Sequence, residues 1–155
     1  MRFIADMMLG RLARWLRLYG HDTLYGVEAD EDILRIALAE NRVLLTRDSG
    51  LAGRARKLGM SVILLTSNSL EGQMEELRGS GVEFKELFPA SARCPKCNGP
   101  IKRVSKEEIR GRVPEAVYER YDGFYVCENC GQVYWPGRQW KEMLRMDKKL
   151  RKINQ

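Results

Sequence analysis

One histidine, His21, stands in 155 residues, so acid–base or nucleophilic chemistry built around imidazole has almost no material here. His21 itself reads as a surface residue ahead of a strand. Long apolar runs are also missing. Nothing approaches the ~18 consecutive apolar residues of a membrane-spanning helix, so no membrane partner is expected. The opening residues Met1-Arg2-Phe3-Ile4-Ala5-Asp6 lack the basic region and apolar core of a secretory signal. The cytoplasm is therefore the expected compartment, where thiols stay reduced. Repeats and low-complexity tracts are absent, and an apolar fraction of 44% suits a packed chain and not a disordered one.

Charge is plentiful but unevenly placed. Residues 1–88 carry 12 Lys+Arg against 13 Asp+Glu, a net of −1, whereas residues 89–155 carry 15 against 8, a net of +7. A basic excess confined to one part of a chain points to nucleic acid. The plainer alternative is a charge that serves solubility.

In the first part, apolar strands alternate with helical patterns. Arg2 to Ala5 predicts a strand that ends at Asp6. Met7 to about Tyr19 predicts an amphipathic helix with Leu9, Leu12, Leu16 and Tyr19 on one face, Arg14 and Arg17 turned away and Arg11 at the border. Further strands are expected at Thr23–Tyr25, Arg42–Thr46 and Ser61–Leu65. Helices are expected from Ala29-Asp30-Glu31-Asp32 to about Asn41, from Leu51 to Leu58, and from a Ser69 cap to about Arg78. Continuous apolar strands separated by helices imply an α/β fold with a parallel sheet covered on both faces. Phe88-Pro89-Ala90-Ser91-Ala92-Arg93 reads as a linker. Short strands and basic residues follow, then a helix from Arg138 that ends in a basic tail. The expected division is 1–88, 89–140 and 141–155, and the last two parts are expected to contact phosphate.

The four cysteines form two pairs, Cys94-Pro95-Lys96-Cys97 and Cys127-Glu128-Asn129-Cys130. Two residues between thiolates let the backbone fold around one ion, and the second pair completes a tetrahedron, which predicts a structural Zn²⁺ site with no open position for substrate. A pair of disulfides or a redox dithiol is the alternative, with neither a secretory signal nor a βαβ context to favour it. Gly99 and Gly131 lie where each knuckle must turn. Residues 107–121 leave room for a hairpin or small helix between the pairs.

Asp6 and Asp48 both follow predicted strands, and Asp30, with Glu31 and Asp32 beside it, opens a helix. Ligands of a parallel α/β sheet bind at the carboxyl ends of its strands, and clustered carboxylates need a cation to offset their repulsion. Oxygen ligands without nearby histidine suit Mg²⁺ or Mn²⁺. Each aspartate could instead be a helix cap, and for Asp30 the two readings weigh about equally. Arg11, Arg14 and Arg47 lie close by in sequence, placed either to neutralise substrate phosphates or to pair with these carboxylates.

Several segments together carry a resemblance. Phe3-Ile4-Ala5-Asp6-Met7-Met8-Leu9-Gly10-Arg11-Leu12-Ala13-Arg14-Trp15-Leu16-Arg17, the acidic helix start Asp30-Glu31-Asp32, Leu44-Leu45-Thr46-Arg47-Asp48, the two cysteine knuckles and Val133-Tyr134-Trp135 with Gly137 closely resemble the Mut-seven C-terminal RNase domain family over nearly the whole chain. The resemblance implies a PIN-like, metal-dependent ribonuclease core with a zinc ribbon, RNA as its partner, and acidic metal-binding residues at Asp6, Asp30 and Asp48, with Asp32 a weaker fourth. One departure is Gly137-Arg138-Gln139-Trp140, where the family is expected to place a histidine before the aromatic residue. The rival reading, from the binding class, is a non-catalytic RNA- or ribosome-binding module with a vestigial acidic site. A DNA-binding regulator built on the ribbon is disfavoured, because the basic helix shows no base-reading motif.

Overall fold

The computed structural model describes residues 1–84, 86–87 and 91–152. Strands β1 (Arg2–Ala5), β2 (Asp22–Leu24), β3 (Val43–Thr46) and β4 (Val62–Leu64) pair in parallel in the order β2-β1-β3-β4. Side chains alternate across a strand. Phe3, Ala5 and Leu45 therefore meet residues of α1 (Gly10–Leu18) and α4 (Leu70–Gly79) on one face. Ile4 and Leu44 meet α2 (Asp30–Glu40) and α3 (Ser49–Lys57) on the other. The expected parallel sheet with helices on both faces is what forms. Boundaries shift by a residue or two; α3 starts at Ser49, ahead of the expected Leu51, because Asp48 caps it. None of the described helices is long and apolar enough to cross a membrane.

The predicted apolar face of α1 is buried at Leu12, Leu16 and Tyr19, but Arg17 does not turn away. It is 6% exposed; its Nε donates to the Thr23 carbonyl at 2.9 Å and its Nη1 to the Pro95 carbonyl at 2.9 Å. A guanidinium can be buried where carbonyls accept its N–H groups, and periodicity alone does not show such partners. His21 is likewise no plain surface residue. Its ring meets Phe3 and Phe84 edge-on, and its Nε2 lies 2.7 Å from the Glu83 carbonyl. Burial lowers its pKa.

The second sheet is antiparallel, β5 (Ile101–Val104), β6 (Phe124–Cys127) and β7 (Val133–Tyr134), in that order. Between β5 and β6 lie a 3₁₀ turn at Glu107–Ile109 and a short helix α5 (Glu115–Arg120). Ile109, Phe124, Val126 and Val133 form a cluster of their own. Three other ribbon residues, Ile101, Tyr125 and Tyr134, pack instead against the main core. That core also takes Leu150, with Trp140, Met143 and Met146, from α6 (Arg138–Lys152). The interiors are thus not separate, and the basic tail is not a loose extension. Four apolar residues spaced three or four apart hide among its charges and dock it, helped by a hydrogen bond from the Tyr19 hydroxyl to Asp147 and a Lys149–Glu71 pair at 3.5 Å. Phe88, Pro89 and Ala90 of the expected linker lie outside the described residues. Of the rest, Ala92 is buried and the Arg93 amide donates to the Arg17 carbonyl at 2.8 Å.

The ribbon also covers the edge of the first sheet. The β2 amide of Thr23 donates to Asn98 Oδ1 at 3.0 Å, and Asn98 Nδ2 donates to Asp22 at 2.7 Å. Asp22 in turn accepts from the buried Arg42 at 2.8 Å. Burial alone would raise the Asp22 pKa, but hydrogen bonds from Arg42 and Asn98 hold it at about 2. Its contribution to stability is therefore complete above ~4 and is lost only as pH falls from there through about 2. Replacing Asn98 with Ala leaves the buried Thr23 amide without its partner. Denaturant unfolding of the zinc-loaded variant is expected to show a loss of about 1–3 kcal/mol. Asn98→Gly, which keeps the left-handed backbone, should lose a similar amount if the hydrogen bonds and not the φ angle carry the effect. Unchanged stability in both variants would show that the staple contributes nothing.

Candidate active site and metal centre

The chain leaves β1 for β2 on one side and returns past it to β3 on the other, so strand order turns at the β1/β3 boundary, where open α/β sheets bind ligands. Asp6 is the first residue after β1, and Asp48 lies two residues beyond β3. Asp6 is 7% exposed; its Oδ1 accepts from the Met8 amide at 3.0 Å and its Oδ2 from the Thr46 hydroxyl. The same hydroxyl oxygen accepts from the Asp48 amide at 2.9 Å. Thr46, fully buried at the end of β3, thus links the two aspartates. Asp48 is exposed, and its Oδ1 takes the Gly50 and Leu51 amides at 2.8 and 3.2 Å. Its Oδ2 has no hydrogen-bond partner among the described residues. Both aspartates are therefore helix caps, and both also face the sheet's carboxyl edge.

Asp30 is the first residue of α2, with Ala29 in the capping position, so it is not the cap. It lies 3.8 Å from Arg54 of α3, which also pairs with Glu31 at 3.1 Å. Asp32 is more than half exposed and pairs with Arg35 at 3.2 Å. Among the described residues, the four cysteines are the one group of three or more potential metal ligands that closes within 4.8 Å. Asp6, Asp30 and Asp48 do not close that tightly.

Among the described residues, Arg11, Arg14 and Arg47 form no ion pair with the three aspartates; Arg54 takes that role at Asp30. Arg11 and Arg14 are exposed on α1. Arg47 is half-buried, and its Nε is buried without a hydrogen-bond partner among the described residues. Its charge reaches Glu76 of α4. Burial would raise the Glu76 pKa, but the Thr66 hydroxyl, the amides of Thr66 and Ser67, and Arg47 bring it below the usual range. Thr46, Arg54 and Glu76 are absent from the sequence reading as site residues. Only Thr46, a polar end to an apolar strand, gave a sequence signal.

Sulfur atoms of Cys94 and Cys130 lie 3.8 Å apart, those of Cys97 and Cys127 3.4 Å, and no disulfide is formed. A tetrahedron of sulfurs about 2.3 Å from zinc has edges of about 3.8 Å, so the set fits Zn²⁺. Amides of Gly99 and Cys130 donate to Cys97 and Cys127 sulfur at 3.4 Å each. Burial, then the neighbouring sulfurs, pushes the Cys97 thiol up to about 12; four thiolates in such proximity require a cation. The left-handed residues of the knuckles are Asn98 (φ 72°) and Gly131 (φ 77°), each just after the second cysteine. Gly99 serves a different purpose, since a Cβ there would lie 2.8 Å from Asn129 of the other knuckle.

No curated protein and no solved structure matched this chain. A family model for the Mut7-C RNAse domain matches residues 1–147. With the parallel sheet, the paired aspartates at its switch point and the four-cysteine cluster all inside that span, the chain belongs to the Mut7-C RNAse domain family.

Proposed function

We propose that this protein is a divalent-metal-dependent ribonuclease that hydrolyses RNA phosphodiester bonds. The observation that carries this reading is the Asp6–Thr46–Asp48 link at the strand-order switch of a chain in an RNAse family. Asp6 and Asp48 would hold Mg²⁺ or Mn²⁺, with Asp30 completing the set from α2 and Asp32 nearby. The ion supplies Lewis acidity and an activated water. Thr46 and the Met8 amide fix the Asp6 carboxylate in one orientation, and the cap amides do the same for Asp48. Arg54 holds Asp30 and Glu31 at the rim. Arg11, Arg14 and Arg47 offset substrate phosphate charge. No side chain acts as nucleophile. The cysteines hold one Zn²⁺ per chain, with a closed shell that leaves its role structural. The test is cleavage of mixed RNA by zinc-loaded protein with and without added Mn²⁺.

One observation favours the rival reading of a non-catalytic RNA- or ribosome-binding module. Asp6 and Asp48 already work as caps, and the three aspartates do not close within 4.8 Å. RNA binding with no cleavage at any Mn²⁺ concentration would decide for it.

RNA affinity should depend on salt through α6. Arg138, Lys141, Arg145, Lys148 and Lys152 are all exposed, and spacings of three and four place them within roughly an 80° arc of a 3.6-residue helix. That arc lies opposite Leu150 and its apolar neighbours. Because α6 is docked, deleting 141–155 would remove core packing along with charge. Replacing Lys141, Arg145, Lys148 and Lys152 with Gln removes the charge alone. Each phosphate contact on a single strand contributes about 0.7 to the slope of log affinity against log salt, so the fourfold variant should flatten it by up to about 3. An unchanged slope returns the stripe to solubility.

A further inference from the structure

A cavity of about 470 Å³ opens between the ribbon and the first turn of α6, within the usual size range of small-ligand sites. Three aromatic side chains, Tyr134, Trp135 and Trp140, line it together with Leu18 and Met143. None of these residues belongs to the carboxylate site. Leu18 closes α1 at the end remote from Asp6, roughly 12 Å along the helix from Gly10.

We propose that this cavity is a base-binding slot that takes one unstacked nucleobase of a single-stranded RNA. The proposal rests on the ribonuclease reading only in requiring that RNA be bound. Three observations support this occupant. The rings are held in place from outside the cavity: Trp135 lies against Phe124 at 6.5 Å between centroids and Trp140 against Tyr125 at 5.9 Å. A Cβ at Gly137 would stand 2.8 Å from Trp135 Nε1, so the glycine lets the indole keep its position. The fixed face of Trp135 suits base stacking, which needs no base-specific hydrogen bond.

The second observation is charge. Arg138 lies at the cavity wall with its side chain 93% exposed, and among the described residues its ion-pair partner is Glu142 at 3.5 Å. Such an exposed i,i+4 pair is weak and yields readily to a phosphate. The third is continuity. Arg138 begins the exposed stripe that runs through Lys141, Arg145 and Lys148 to Lys152. One helical turn rises about 5.4 Å, so the cations recur at intervals comparable to the spacing of phosphates along an extended strand. The far end of α6 is anchored by Asp147 on Tyr19, Arg151 on the Phe84 carbonyl and Lys149 on Glu71, which leaves the stripe on the outward side. Gln139 also lines this cavity.

The experiment measures affinity for short RNA oligonucleotides against abasic strands of equal length, using the zinc-loaded Asp6→Asn protein so that RNA survives. Quenching of tryptophan fluorescence is recorded alongside. The base-containing strand is expected to bind about 10- to 100-fold more tightly and to quench the fluorescence. Trp135→Ala should erase that preference, and Trp135→Phe, which keeps an aromatic face, should restore most of it. Equal binding of both strands, still salt-dependent, overturns the slot and leaves RNA binding intact. No RNA binding by any form overturns both readings. An apolar peptide that displaces no RNA yet quenches the tryptophans would assign the cavity to a protein partner and defeat the proposal.

Discussion

Asp6→Asn is expected to lower RNA cleavage by more than about 100-fold, since even outer-shell partners of metal ligands are worth 10- to 100-fold in metal affinity or activity. The substitution keeps the size of the side chain and an oxygen to accept from the Met8 amide, which the carboxylate now does at 3.0 Å. What it changes is the side facing Thr46. The Thr46 hydroxyl now donates to Asp6 and accepts from the Asp48 amide. Facing an Asn amide it must accept from both, which its two lone pairs permit. The fold should therefore survive, and RNA affinity should hold or rise as one negative charge leaves the phosphate's path. The measurement is single-turnover cleavage beside equilibrium binding. Wild-type cleavage rates in Asp6→Asn would sink the assignment of the carboxylate site. Thr46→Val, which deletes the link but keeps the shape, should give a smaller loss that excess Mn²⁺ partly recovers.

Removing zinc is expected to affect the whole chain and not the ribbon alone. Structural zinc sites contribute about 10–16 kcal/mol of apparent binding energy, comparable to or above the total stability of a small domain. In this protein the loss cannot be confined. The first knuckle carries Asn98, which completes β2, and Pro95, which accepts from Arg17 of α1. Ile101, Tyr125 and Tyr134 pack on the main core. Cys127→Ser or chelation should thus lower the melting temperature and expose core tryptophan. Mn²⁺ alone should restore neither fold nor cleavage; Zn²⁺ should restore the fold, and Zn²⁺ with Mn²⁺ both. An apoprotein that melts at the same temperature as the zinc-loaded form would contradict this coupling.

Periodicity was enough to find the parallel sheet, its covering helices and the cysteine pairs, because each depends on spacing along the chain. Alternation in β1 and β3 and the 3.6-residue face of α1 set which residues are buried. Two residues between thiolates set the knuckle whatever surrounds it. Asp6 and Asp48 were legible for the same reason, as polar residues closing apolar strands. What periodicity could not supply was any contact between residues distant in sequence. Arg17 looked like a surface residue until the carbonyls of Thr23 and Pro95 came within 2.9 Å of it. The apolar positions of α6 were outnumbered by charge, so its docking became visible only where Leu150 met the core. Thr46 as a bridge to Asp6, Arg54 at Asp30 and Asn98 on the sheet edge all depend on residues that folding brings together from 24 to 75 positions apart. The sequence by itself determined the elements and the four-cysteine set, since these follow from local geometry. The tertiary structure decided how the ribbon, the last helix and the carboxylate edge form one body, since burial and hydrogen-bond partners exist only once distant segments meet.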